Sequence, residues 1–100
     1  MSVVGQAIVE LFETSQGGLK GPMPSGTRSL LVSFADSEEG ETFGAVIEDA
    51  NGKDLTPGST RLVKLSFWSD VAEIYGSRGA KFSIQYGRDV GRGEIVEPVA

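Results

Sequence analysis

The sequence predicts an all-β domain of six short strands, a barrel or a sandwich that is all antiparallel or nearly so, and three observations lead there. Apolar residues alternate with polar ones in six short segments. Fourteen glycines in 100 residues interrupt the chain too often for long helices. Turn dipeptides, Asn51-Gly52 and Pro57-Gly58 among them, punctuate the segments. Closing such a sheet into a barrel removes the free edges that otherwise template aggregation.

Residues 3–14 form the first segment. Ala7, Val9 and Leu11 share one face, and Gln6, Ile8, Glu10 and Phe12 the other. Residues 15–26 are dense in Gly and Pro and read as a long loop without a regular element. The second strand, residues 27–35, aligns Leu30, Val32 and Phe34. An acidic turn at residues 36–41 leads to the third strand, residues 42–48, with Phe43, Ala45 and Ile47 aligned.

Asn51-Gly52 is the strongest short hairpin signal, because both residues accept positive φ. Pro57-Gly58 suits a type II turn, Pro presetting φ and Gly supplying the positive one. In the fourth strand, residues 60–69, Val63, Leu65 and Phe67 face inward, with Arg61 on their parity near the rim. Lys64 and Ser66 face outward, and Trp68 lies at the outer end. Residues 70–79 form a loop with room for one short helical turn. Residues 80–86 alternate Ala80, Phe82, Ile84 and Tyr86 against Lys81, Ser83 and Gln85. Residues 87–93 read as a glycine-rich hairpin, and residues 94–99 as the closing strand.

Composition excludes several function classes. The chain has no Cys and no His. That removes the usual zinc and copper ligands, any disulfide, and every Cys- or His-dependent nucleophile. No metal or other cofactor is expected. The N-terminus lacks the basic region and apolar run of a signal peptide, and no apolar stretch is long enough for a membrane helix. A cytoplasmic protein without membrane partners is the expectation. The initial Met and the complete set of strands lead to the further expectation of a free-standing protein.

The net charge is −5, which repels nucleic acid at long range. Its distribution is uneven. Residues 1–54 carry three basic and nine acidic side chains, whereas Arg61, Lys64, Arg78, Lys81, Arg88 and Arg92 outnumber the acids of residues 61–92.

No constellation points to catalysis. There is no phosphate-binding G-x-x-x-x-G-K-[ST] motif. The stretch Asp49-Ala50-Asn51-Gly52-Lys53-Asp54 lacks the Glu that a calcium loop needs six residues after its Gly. Asp36, Glu38, Glu39 and Glu41 could serve a hydrolase only in a cleft that perturbs one of them. They fall in one short turn that reads as solvated.

Four stretches, in order, carry a family resemblance. Ala7 to Gly18, ending Ser15-Gln16-Gly17-Gly18, resembles the first strand and double-glycine turn of the C-terminal third domain of the elongation factor Tu family. Leu55-Thr56-Pro57-Gly58 resembles that domain's MPGD turn. Lys64 to Ala72 resembles the strand and apolar loop that follow it. Lys81-Phe82-Ser83-Ile84 with Val90-Gly91-Arg92-Gly93 resembles its closing hairpin. The resemblance covers about residues 6–99 and implies a six-stranded antiparallel barrel.

In that family the barrel holds the T-stem of aminoacyl-tRNA and meets the exchange factor and the GTPase domain. Those contacts use motifs that differ in this chain. Leu19-Lys20-Gly21-Pro22-Met23 stands where the family has RHTPF. Only Arg28 matches YRPQFY. Residues 85–89 shorten REGGRT and lack its Glu. The resemblance therefore implies the fold more firmly than tRNA binding.

A non-catalytic protein-binding module is the first expectation, with a translation component, a GTPase or a partner encoded nearby as the protein it meets. Ile8, Phe12, Leu31, Leu62 and Trp68 fall on outer faces or loop junctions, unless the parity is shifted and they fill the core. Phe12, Trp68, Arg88 and Arg92 are the candidate protein-binding residues; a Trp suits the centre of an interface. The alternative is an RNA-contacting module using Lys64, Arg78, Lys81, Arg88 and Arg92, with Tyr86 able to stack a base.

Overall fold

A computed structural model of the chain describes residues 3–38 and 40–100. Six antiparallel strands close into a barrel: β1 (Val3–Leu11), β2 (Thr27–Phe34), β3 (Phe43–Asp49), β4 (Thr60–Phe67), β5 (Lys81–Gln85) and β6 (Asp89–Glu97). Their order around the wall is β1-β4-β3-β2-β5-β6, and β6 pairs again with β1. Every pairing is antiparallel. One helical turn, α1 (Ala72–Tyr75), lies between β4 and β5. No helix among the described residues is long and apolar enough to cross a membrane.

The two-residue period places one set of side chains inside. Ala7, Val9 and Leu11 of β1, Leu30, Val32 and Phe34 of β2, and Phe43, Ala45 and Ile47 of β3 are buried. So are Val63, Leu65 and Phe67 of β4 and Phe82 and Ile84 of β5. These are the inward residues the alternation predicts. Arg61, on the same parity, sits at the rim and reaches the buried Asp49 carboxylate at 3.5 Å.

The two ends of the barrel are filled differently. At the end where β2 finishes and β3 begins, Phe34 is the hub of an aromatic cluster. Its ring centroid lies 5.7 Å from Phe43, 5.8 Å from Phe67, 5.9 Å from Phe82 and 6.2 Å from Tyr75 of α1. Val99 closes the same end. A Cβ at Gly5 would come within 2.8 Å of the Val99 side chain, and one at Gly76 would overlap it. We call this the α1 end. At the opposite end the long loops supply Met23 and Leu55, both buried and joined by a reciprocal backbone bridge of 2.8 and 2.7 Å.

Other strand ends shift by one or two residues, and four larger differences separate the structure from the sequence expectation. The first strand stops at Leu11 instead of residue 14, because Thr14–Gln16 coil into a 3₁₀ turn that ends on Gly17 at φ 89°. The loop at residues 15–26, expected to lack regular structure, contains part of that turn and the Met23 bridge. The turn at Asn51-Gly52 forms, with Gly52 at φ 71°, but does not start a strand. The Asp49 carboxylate accepts the backbone N–H of Asn51 (2.9 Å) and of Lys53 (3.2 Å), which holds the chain in a local turn. It then runs to Leu55 and reverses at Thr56-Pro57-Gly58-Ser59, where Gly58 has φ 81° and Ser59 donates to the Thr56 carbonyl.

The fourth difference is the largest. The closing strand begins at Asp89, not residue 94, and ends at Glu97. Residues 86–88 make the turn, with Gly87 (φ 79°) the one glycine in it. Gly91 and Gly93 lie in the ladder, opposite Ile84 and Phe82 on one side and Leu11 and Val9 on the other. A Cβ has no room at either: at Gly91 it would stand 2.7 Å from the Glu10 carbonyl oxygen, and at Gly93 2.8 Å from that of Ile8. A Cβ at Gly93 would stand 2.5 Å from the Phe82 ring.

Candidate protein-interaction surface

Alternation that fills the core also fixes what the wall shows to solvent. Ile8 and Leu62 are directly opposite each other across the β1–β4 pairing, and both point outward. They are 46% and 44% exposed. Leu31 on β2 and Trp68 just past β4 are exposed as well. These four therefore do not fill the core. Phe12 is half-buried at the loop end, its N–H donated to the Val90 carbonyl.

Trp68 has a defined seat. Its backbone N–H donates to the Gly44 carbonyl at 3.1 Å, and a Cβ at Gly44 would be 2.8 Å from the indole Cδ1. The ring thus rests on the bare backbone of β3, with 59% of the residue in solvent. Val71 and Ile74 follow at intervals of three residues and are 45% and 72% exposed. Sequence reasoning did not single them out. Their spacing in a short helical turn was the available signal, because residues three apart share a helix face.

The four candidate protein-binding residues do not form one site. Trp68 is at the α1 end; Phe12 and Arg88 are at the loop end. Arg88 lies beside the turn that ends β5, and donates to the Gly18 carbonyl at 2.7 Å, fastening that turn to the first long loop. Arg92 is not in a turn. It stands on β6 and makes an ion pair with Glu10 of β1 at 2.9 Å. Phe12 and Arg92 do share the lining of a depression that also includes Glu10 and Gln16.

The candidate RNA-contacting cations are likewise dispersed. Lys81 and Arg92 line one concavity of about 450 Å³ together with Ile8, Glu10 and Glu94. Lys64 belongs to a different depression, beside Gln6 and Glu97, and is 3.7 Å from Glu48. Arg78 is exposed in the loop after α1, and Arg88 is at the far end. Carboxylates interleave with these cations on the wall, and phosphate contacts need net local positive charge.

Two titrations are displaced. Asp49 is held below its ordinary value of 3.8, first by the backbone N–H groups of Asn51 and Lys53 and further by Arg61. Tyr75 is raised above 10.0 by the neighbouring Glu41 carboxylate, then by burial and by Glu38. Glu39, the remaining member of the acidic turn, lies outside the described residues. Among the described residues no cluster of His, Cys, Asp or Glu is arranged to hold a metal ion. Comparison with protein-family models finds no match to this chain, and comparison with curated proteins finds none either.

Proposed function

We propose that this chain is a non-catalytic binding module that meets a protein partner through its outer surface. In this reading it is related to the third domain of the elongation factor Tu family and acts on a translation component or a GTPase. The reading is carried by one observation: the Ile8–Leu62 pair, two aliphatic side chains side by side in solvent on a barrel whose interior is already full. Burying such a side chain is worth about 1.5–3 kcal/mol. Both sit on rigid strands, so a partner covering them incurs little ordering cost. The ordered series of family-like motifs and the six-stranded barrel support the proposed kinship.

The test is capture of partners from the chain's own cell extract, with and without nuclease, by the wild type, Ile8→Thr and Leu62→Thr. Threonine has the β-branched shape that suits a strand, as Ile8 already does and Leu62 does not, and offers less apolar surface than either. A protein partner survives nuclease and is lost with either variant. Equal capture by all three chains would overturn the reading. Capture lost on nuclease treatment, and weakening steeply with salt, would favour RNA contact instead.

A further inference from the structure

The α1 end carries a second exposed apolar group, separate from the wall. Trp68, Val71 and Ile74 are all exposed within seven residues, and Ile74 has the largest exposure of any large apolar side chain described. The N–H groups of Ala72, Glu73 and Ile74 donate to the carbonyls of Ser69, Asp70 and Val71, three residues back. With close to three residues per turn, Val71 and Ile74 lie on one side of the segment. The Ser69 hydroxyl accepts the Val71 N–H at 3.2 Å and fixes the entry. The indole is fixed by its seat on Gly44.

The charge on this segment and on the turn before β3 has one sign in excess. Asp70 and Glu73 are on the same segment and exposed. The turn before β3 adds Glu38 and Glu41, close enough to Tyr75 of α1 for both carboxylates to act on its phenol. Asp36 is exposed on the same turn. Against these five carboxylates the adjoining segment offers Arg78 and Lys81. None of the seven is in an ion pair among the described residues. One Glu41 carboxylate oxygen is buried without a hydrogen-bond partner among the described residues.

We infer that the α1 end docks a cationic amphipathic segment of a partner protein, its apolar side chains on Trp68, Val71 and Ile74 and its lysines or arginines against the surrounding carboxylates. Complementary charge brings such a segment in and selects against acidic ones. An amphipathic helix laid on an apolar surface is a recurring mode of peptide recognition. Anionic membranes are disfavoured by the same carboxylates. The inference rests on the binding-module reading and adds the chemistry of the partner and a second point of attachment.

Trp68 is the only tryptophan in the chain, so its fluorescence reports this site directly. The probe is a tryptophan-free peptide with Leu on one helical face and Lys on the other. It should shift Trp68 emission to the blue and shield the indole from acrylamide. A counterpart with Glu in place of Lys, and vesicles of anionic lipid, should do neither. Ile74→Ser and Glu73→Lys should each weaken the peptide by about tenfold or more, with unfolding midpoints unchanged. The inference is overturned if the Lys peptide leaves the emission unaltered, if the Glu peptide binds as well, if the vesicles bind as well, or if either variant binds normally. Ile8→Thr must leave peptide binding intact. Failure of the peptide with continued loss of the captured partner in Ile8→Thr would sink this inference and leave the wall reading standing.

Discussion

Asp49 shows how a single residue sets local architecture. Its carboxylate is almost wholly buried, yet both oxygens are used: one by the N–H groups of Asn51 and Lys53, the other by Arg61 across the β3–β4 pairing. Its own N–H is donated to the Ser25 hydroxyl, which ties in the first long loop. Replacement by Asn keeps the shape but loses the charge, and leaves the Arg61 guanidinium beside a neutral group. Because folding lowers the Asp49 pKa below 3.8, its charge contributes stability that is present above that value. The contribution is lost as pH falls through the folded pKa. Urea denaturation should therefore find Asp49→Asn less stable than wild type near neutrality, with the gap closing below about pH 4. A gap that stays constant with pH would show that the charge of Asp49 has no stabilising role.

At the scale of elements, β6 is the informative strand. Strands rich in branched and aromatic residues were legible from alternation alone, and their inward faces agree with β1 to β5, except that Tyr86, aligned with Phe82 and Ile84 in the sequence, lies past the end of β5 and is exposed. The start of β6 was not, because glycine serves two purposes that composition cannot separate. Gly87 is a turn residue with positive φ; Gly91 and Gly93 are strand residues facing Leu11 and Phe82. The sequence did hold a signal: Gly91-Arg92-Gly93-Glu94 alternates small with charged at period two. The candidate site suffered from the same error. Placing Arg88 and Arg92 together in a turn hid the Glu10–Arg92 ion pair, which depends on a strand-to-strand register that spacing alone does not reveal. The outward apolar residues were legible because parity fixes direction, whereas Val71 and Ile74 needed the helical turn to be placed first. Gly93→Ala should cost about 1–3 kcal/mol through overpacking, read as a lower urea midpoint. Phe82→Leu in the same chain should recover part of that loss, since Leu withdraws the ring atoms that a new Cβ would meet. Additive destabilisation in the double variant would show that the Phe82 ring is not what demands glycine.

For the whole molecule the decisive point is that a closed barrel has two ends, and this one uses them unequally. At the loop end, Leu11, Met23 and Leu55 pack beneath the long connections. At the α1 end, Val99 sits between Gly5 and Gly76, and its N–H donates to the Gly76 carbonyl at 2.8 Å. Val4 and Ala100 exchange backbone hydrogen bonds of 3.0 and 3.1 Å beside it. Gly76 terminates α1 and returns its own N–H to the Ala72 carbonyl. Val99 is thus the support on which α1 rests, and is itself buried. Removing buried methyl groups there leaves a small cavity and lets the helical turn shift. Val99→Ala should lower stability by about 1–3 kcal/mol and also weaken the Lys-bearing peptide at Trp68, although it touches no part of the proposed surface. Leu11→Ala, in the same interior but toward the opposite end, should cost about 2–5 kcal/mol and leave peptide affinity for the folded protein unchanged. Urea denaturation and Trp68 titration on the two variants separate support from mere stability. Equal loss of peptide affinity in both would mean that docking follows global stability, and α1 would have no special dependence on the residue that holds it.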